Sequence, residues 1–265
     1  MSPIETGRED GLLRDPYSER LAGERGMEIA RSASLFELMC FVVALRARLM
    51  DELLLKAVES ERIETVVNLG AGLDTRPWRL RLPSTLRWVE VDFPSMLEYK
   101  ATRLADEKPR CHFEQFSADL TVAEDRVGLF EWIGTAPALM ITEGLLMYLP
   151  RGAFAALTTE APQLSGVRYW LLDVSSEDAM RAVWRGDKTP IEHLRPKDHL
   201  AGQAILDAAQ ASGWTAIAAR TYEREVAAVP RARLAQLVEI FNQAGGSPPP
   251  SGDPSGIYLC KSVRA

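Results

Sequence analysis

The chain has few of the residues from which disulfide-built or metal-built domains are made. Its 265 residues include three cysteines, Cys40, Cys111 and Cys260, and three histidines, His112, His193 and His199. Three is an odd number and the cysteine spacing pairs none of them, so neither a disulfide framework nor a zinc knuckle is expected. Each cysteine reads instead as a small apolar residue in or near a reduced core. The histidines show no metal-ligand spacing, and no metal is expected. The chain also lacks an apolar stretch of membrane-spanning length. Its first sixteen residues are charged and contain no apolar segment of the kind a signal peptide needs. A cytoplasmic protein without membrane association is the expectation. Basic charge is scarce as well: 31 Lys and Arg stand against 37 Asp and Glu, for a formal net charge of −6. That sign argues against nucleic acid, where a basic stripe must displace counterions from phosphates.

The apolar share is 46%, ordinary for a globular chain of this length and enough for one large α/β domain. Residues 1–60 read as a mostly helical N-terminal cover. Leu35 to Met50 are apolar around much of a helix, which predicts burial against a sheet. From residue 61 the pattern alternates. Strand-type runs at 65–69, 86–92, 111–116, 138–142 and 168–174 are separated by helical segments near 95–106, 122–132 and 151–162. This order predicts parallel βαβ units and a doubly wound, Rossmann-like sheet. A polar, basic insert at 176–200 interrupts the rhythm. Strands at 214–219 and 256–262, with helices at 201–212 and 230–243, complete a mostly parallel seven-stranded sheet with an antiparallel C-terminal strand. The 61–265 part is expected to form a nucleoside-binding domain in one structural unit with the cover.

The chemistry concentrates in a strand-turn-helix, Val66-Val-Asn-Leu-Gly70-Ala-Gly72-Leu-Asp74-Thr-Arg76. Gly70 and Gly72 allow a sharp turn and a close approach of backbone to ligand. Asp74 or Thr75 is placed to cap the helix, and Pro77 fits its first turn. The second strand ends at Asp92, where the two hydroxyls of a ribose need a bidentate acceptor. A dinucleotide fingerprint would require a third glycine at position 75. Thr75 stands there, beside Asp74, whose carboxylate is unfavourable next to pyrophosphate but suits a cationic sulfonium with an amino group. S-adenosylmethionine is therefore favoured over NAD.

Three stretches together resemble the leucine carboxyl methyltransferase family. They are Val66 to Leu80, Trp88-Val-Glu-Val-Asp-Phe-Pro94, and Ile141-Thr-Glu-Gly-Leu-Leu-Met-Tyr-Leu-Pro150. Arg46-Ala-Arg48-Leu-Met-Asp51 resembles the family's arginine-bearing helix, and the match covers roughly residues 13–175. The family spans protein-phosphatase carboxyl methyltransferases and bacterial O-methyltransferases of polyketides, the tetracenomycin type among them. The resemblance implies that Arg46 grips the carboxylate of the cofactor's methionine end, and that Gly70 lines its backbone. It implies that Asp92 holds the ribose, that Asp119 and Leu120 flank the adenine, and that Glu143 accepts from the amino group. Ala71, Gly72, Asp74 and Phe93 complete the cofactor-binding set. Relatives carry a longer N-terminal helix that closes over the cofactor; here only about a dozen residues precede Leu12-Leu-Arg-Asp-Pro-Tyr17, so a shortened lid is expected.

Other readings compete at several positions. Helical periodicity does not say which of Arg46 and Arg48 faces inward, and Arg48 with Asp51 has the spacing of a surface ion pair. Asp119 could simply end a strand. Glu143 follows an apolar strand directly, and the cost of burying a lone carboxylate there predicts a cationic partner. Tyr148 is the candidate catalytic residue on the substrate side, with Asp173 a comparable one. Arg185, His193 and Arg195, in a locally basic segment of an acidic chain, are candidates for binding an acidic acceptor, against the alternative of a solvated loop. The expected function is methyl transfer from S-adenosylmethionine to a carboxylate or hydroxyl oxygen of a small molecule, such as a polyketide. An NAD-linked oxidoreductase and a catalytically silent cofactor-binding module are the competing classes. Oligomeric state cannot be read from the sequence.

Overall fold

The computed structural model describes residues 3–32, 36–177, 196–243, 252 and 254–263. Three helices precede the sheet: α1 (Pro3–Gly7), α2 (Ser18–Ser32) and α3 (Phe36–Ser60). The sheet begins with β1 (Thr65–Leu69), a short α4 (Arg76–Arg79), β2 (Arg87–Asp92), α5 (Pro94–Arg103), β3 (His112–Ser117), α6 (Ala123–Ile133) and β4 (Ala138–Thr142). A 3₁₀ turn at Leu146–Tyr148, α7 (Arg151–Leu164) and β5 (Val167–Val174) follow. The described C-terminal part contains α8 (Gln203–Ala211), β6 (Trp214–Thr221), α9 (Tyr222–Val226), α10 (Arg231–Gln243) and β7 (Gly256–Ser262). Of the basic insert, residues 178–195 lie outside the described residues, and with them Arg185, His193 and Arg195.

The seven strands lie in the order β3-β2-β1-β4-β5-β7-β6. The first five pair in parallel, and β7 runs antiparallel between β5 and β6. β1 and β4 sit at the centre with every residue buried, which is why their sequences read as unbroken apolar runs rather than alternating ones. The period of two then divides the residues between two cores. Val67, Leu69, Met140, Trp170 and Leu172 face α6, α7 and α8, with Phe154, Trp170 and Trp214 at the centre of that layer. Their neighbours Val66, Leu139, Ile141 and Leu171 face the other way, onto Leu45, Leu49, Leu53 and Leu54 of α3. Leu49, Met50 and Leu54 are fully buried, each contributing about 1.5–3 kcal/mol of transfer free energy. One whole face of the sheet thus depends on a helix that precedes it in sequence. The fold is the expected Rossmann-like doubly wound sheet with a reversed C-terminal strand.

Strand order reverses between β1 and β4, since β1 connects outward to β2 and β3 while β4 connects outward to β5. In open α/β sheets this switch point, at the carboxyl ends of the strands, is where ligands bind. Four predicted site positions meet there: the Gly70–Gly72 turn after β1, Asp92 ending β2, Glu143 after β4 and Asp173 near the end of β5.

Candidate cofactor site at the switch point

The glycine turn is built as its sequence requires. Gly70 and Gly72 both take the left-handed conformation, with φ +61° and +48°. A Cβ at Gly70 would stand 2.9 Å from Leu145 Cδ1, a side-chain end that can shift, so it is the left-handed backbone that favours glycine here. Asp92 anchors the turn from β2. One carboxylate oxygen accepts from the Gly72 N–H at 2.7 Å and the other from the Phe93 N–H at 2.7 Å. Each oxygen has a further lone pair for a diol. Phe93, next in sequence, has an exposed ring, with 56% of its surface open to solvent.

Asp74 caps the short α4 through its Oδ1, which accepts from the Arg76 N–H at 2.9 Å. Its Oδ2 accepts from Asn68 Nδ2 at 2.7 Å and from Arg76 NH1 at 3.0 Å. The carboxylate therefore has partners inside the chain, Arg76 among them. Thr75 is the N-cap residue but makes no side-chain cap bond. It is fully buried, donates to Asp15 Oδ2 at 2.9 Å and accepts from Arg79 Nε at 3.2 Å.

Arg46 is the arginine of α3 that faces inward. Its Nε donates to Glu143 Oε1 at 2.9 Å and its NH1 lies 3.4 Å from Asp173 Oδ2. Arg48 pairs with Glu52 at 2.9 Å on the exposed face, so the surface pair runs from i to i+4 and does not include Asp51. Asp51 is buried among Arg76 and Arg79 instead. The cationic partner expected for Glu143 is present twice, since its second oxygen meets Arg76 NH1 at 2.8 Å. Burial would raise the Glu143 pKa, but Arg76 and Arg46 outweigh it and hold the carboxyl down to about 2. Burial likewise opposes the charge on Arg46, and Glu143 and Asp173 reverse that effect and raise its pKa. Asp173 differs. Burial pushes its pKa up, with nearby Glu143 adding to the effect and Arg46 opposing it. It accepts from the Gly144 N–H at 2.8 Å, and Gly144 is left-handed at φ +63°.

The remaining predicted residues lie close by. Asp119 ends β3 in a tight turn, its Oδ1 accepting from the N–H and hydroxyl of Thr121 at 2.9 and 2.7 Å. The Leu120 side chain is buried in the core. Tyr148 is half-buried on the 3₁₀ turn. Beside it, Gly144, Leu146, Met147, Asp173, Ser175, Leu200 and Ile205 line a narrow indentation. His199 bonds the Pro196 carbonyl through Nδ1 at 2.8 Å, and His112 lies exposed beside Glu114. Among the described residues no cluster of His, Cys, Asp or Glu is arranged to hold a metal, and no helix is long and apolar enough to cross a membrane. The three cysteines are buried, and none is joined to another in a disulfide.

Sequence reasoning missed Arg76, Arg79 and Asp51 as members of this cluster. The signal was present: an aspartate within the apolar run Leu49-Met-Asp51-Glu-Leu-Leu54, and two arginines three residues apart in a helix buried on most of its surface.

The fold has close structural counterparts. A DUF574 family protein from Streptomyces avermitilis superposes with a TM-score of 0.61 at 12% identity, over 93% of this chain and 95% of that one. The methyltransferase domain of bacterial CtHen1 superposes with a TM-score of 0.51 at 12% identity, over 81% and 97%. At such identities the likeness is one of fold, and the fold is that of class I methyltransferases. Sequence relatives carry the name "Putative S-adenosyl-L-methionine-dependent methyltransferase". One from Streptomyces coelicolor is 35% identical over 167 residues, 58% of each chain. Another from Mycolicibacterium smegmatis is 32% identical over 180 residues, 62% of this chain and 60% of its own. The chain spans about three fifths of the length of these relatives. Residues 2–161 match the leucine carboxyl methyltransferase family, and the chain belongs to that family.

Proposed function

We propose that this protein is a cytoplasmic S-adenosylmethionine-dependent O-methyltransferase acting on a carboxylate or hydroxyl of a small molecule, such as a secondary metabolite of the polyketide kind. The observation that carries the cofactor reading is Asp92. Its two oxygens are held by the Gly72 and Phe93 N–H groups at the carboxyl end of β2, beside a left-handed turn at Gly70. Asp92 holds the ribose, the exposed Phe93 ring packs on the adenine, and the 119–120 backbone borders it. Arg46 uses two of its five N–H groups within the protein and keeps donors for the methionine carboxylate. Glu143, ionised between two arginines, takes the ammonium. The NAD-linked alternative is disfavoured by α4. It has four residues, and its first N–H is already bonded to Asp74, so it offers pyrophosphate no open helix N-terminus.

The bound cofactor supplies an electrophilic methyl group on a positively charged sulfur. The chain's part is to align an acceptor oxygen and exclude water. The indentation beside Tyr148, apolar except for Asp173 and Ser175, is the acceptor side. A carboxylate acceptor needs no base at neutral pH, whereas a phenol with a reference pKa of about 10 benefits from one. Asp173, its pKa raised by burial, is placed to serve a hydroxyl acceptor. Arg185, His193 and Arg195 are assigned to the acceptor opening on sequence alone. The likeness to Hen1 domains, one of them titled a small RNA methyltransferase, concerns fold only. The net charge of −6 opposes an RNA acceptor.

Calorimetric titration with S-adenosylhomocysteine and, separately, NADH tests the reading. Asp92→Ala should weaken S-adenosylhomocysteine binding tenfold or more, since charged hydrogen bonds contribute about 1.5–3 kcal/mol each. Binding of NADH, or of neither ligand, would overturn it. Formation of S-adenosylhomocysteine with candidate acid and phenol acceptors then separates turnover from silent binding.

A further inference from the structure

The charges at the switch point form a closed ring. Helix α3 supplies both ends of it, Arg46 and, five residues later, Asp51. Arg46 Nε meets Glu143 Oε1 at 2.9 Å, and Arg76 NH1 meets Glu143 Oε2 at 2.8 Å. Arg76 Nε returns to Asp51 Oδ1 at 2.6 Å, so Glu143 is gripped from two sides by groups anchored on one helix. Arg79 braces the ring from behind, its NH2 donating to the same Asp51 oxygen at 3.0 Å and its NH1 to the other oxygen. Arg76 is 1% exposed. Its remaining polar contacts are also internal, NH1 to Asp74 at 3.0 Å and NH2 toward the Ala47 carbonyl at 3.5 Å. A guanidinium so enclosed reaches no ligand. Its planar fork can nevertheless fix the angle at which Glu143 presents its remaining lone pairs.

We propose that Arg76, held by Asp51, is a positioning residue for the amino-acid end of the cofactor and acts through Glu143. The inference rests on the cofactor reading given above and assigns the Asp-Thr-Arg segment a task beyond forming a turn. It also separates two halves of the pocket. The adenosine half, Asp92 and Phe93, is built on β2, and the Asp92 carboxylate accepts from the Gly72 and Phe93 N–H groups rather than from a residue of the ring. The methionine half depends on it.

That separation provides the test. S-adenosylhomocysteine occupies both halves, whereas 5′-methylthioadenosine lacks the amino-acid end and occupies only the adenosine half. Arg76→Lys keeps the buried charge and loses the fork. It should weaken S-adenosylhomocysteine about tenfold while leaving 5′-methylthioadenosine within about twofold, because only one charge-assisted contact loses its alignment. Asp51→Asn should show the same split to a smaller extent, and it decides the matter if Arg76→Lys does not fold. A parallel loss for both ligands would mark Arg76 as merely structural and overturn the proposal, as would no loss for either. Wild-type protein that binds neither ligand would overturn the cofactor reading and this proposal with it, an outcome distinct from the parallel loss.

Discussion

Replacing Glu143 by Gln removes the one charge that joins Arg46 to Arg76, at a position with 17% of its side chain exposed. The carboxyl is held down to about 2, against an ordinary value of 4.5, because Arg76 and Arg46 outweigh burial. A folded-state pKa below the unfolded one means that the ionised form stabilises the fold above the unfolded value. That stability is lost as pH falls toward the folded value. A gap of about 2.5 units at about 1.4 kcal/mol per unit corresponds to roughly 3 kcal/mol near pH 7, in the range expected for breaking a buried pair. Glutamine also turns an amide N–H₂ toward a guanidinium, so one acceptor is replaced by a donor. Urea unfolding of wild type and Glu143→Gln at several pH values measures the difference directly. The wild type should be more stable by about 3 kcal/mol at pH 7.5, narrowing to about 1 kcal/mol near pH 3. A difference under about 1 kcal/mol at pH 7.5, or one independent of pH, would refute the ion-ring account of Glu143.

Two further outcomes follow from the same geometry. Gly70→Ala puts a side chain at φ +61° and 2.9 Å from Leu145. It should cost about 1–2 kcal/mol from the left-handed backbone alone, plus a contact penalty that Leu145→Ala relieves in a double-mutant cycle; thermal denaturation of the four proteins measures both parts. Arg48→Ala should change stability by less than about 1 kcal/mol, because its pair with Glu52 is exposed. It should leave S-adenosylhomocysteine binding intact, whereas Arg46→Ala should abolish it; titration of both variants checks the assignment of the inward-facing arginine.

The sequence by itself determined the sheet, the glycine turn after β1 and the carboxylate that ends β2. β1 and β4 are buried on both faces, so their composition admits little but a central parallel strand. The Gly70–Gly72 turn and Asp92 lie at strand ends, where local backbone geometry dictates residue type, so a sequence pattern carries them. The tertiary structure alone decided the ring of charges at the switch point. Whether Arg46 or Arg48 turned inward depended on how α3 rolls against β5 and β7, which the periodicity of a helix apolar around much of its circumference does not specify. Asp74 read as a ligand group from its neighbours in sequence, and its ion pair with Arg76, two residues on, became visible only in the folded chain. Asp51, Arg76, Glu143 and Asp173 come from four elements spread over more than a hundred residues. A buried carboxylate announces that it needs a cation, because desolvation without one is prohibitive. Which cation meets it is settled only when the helices close on the sheet.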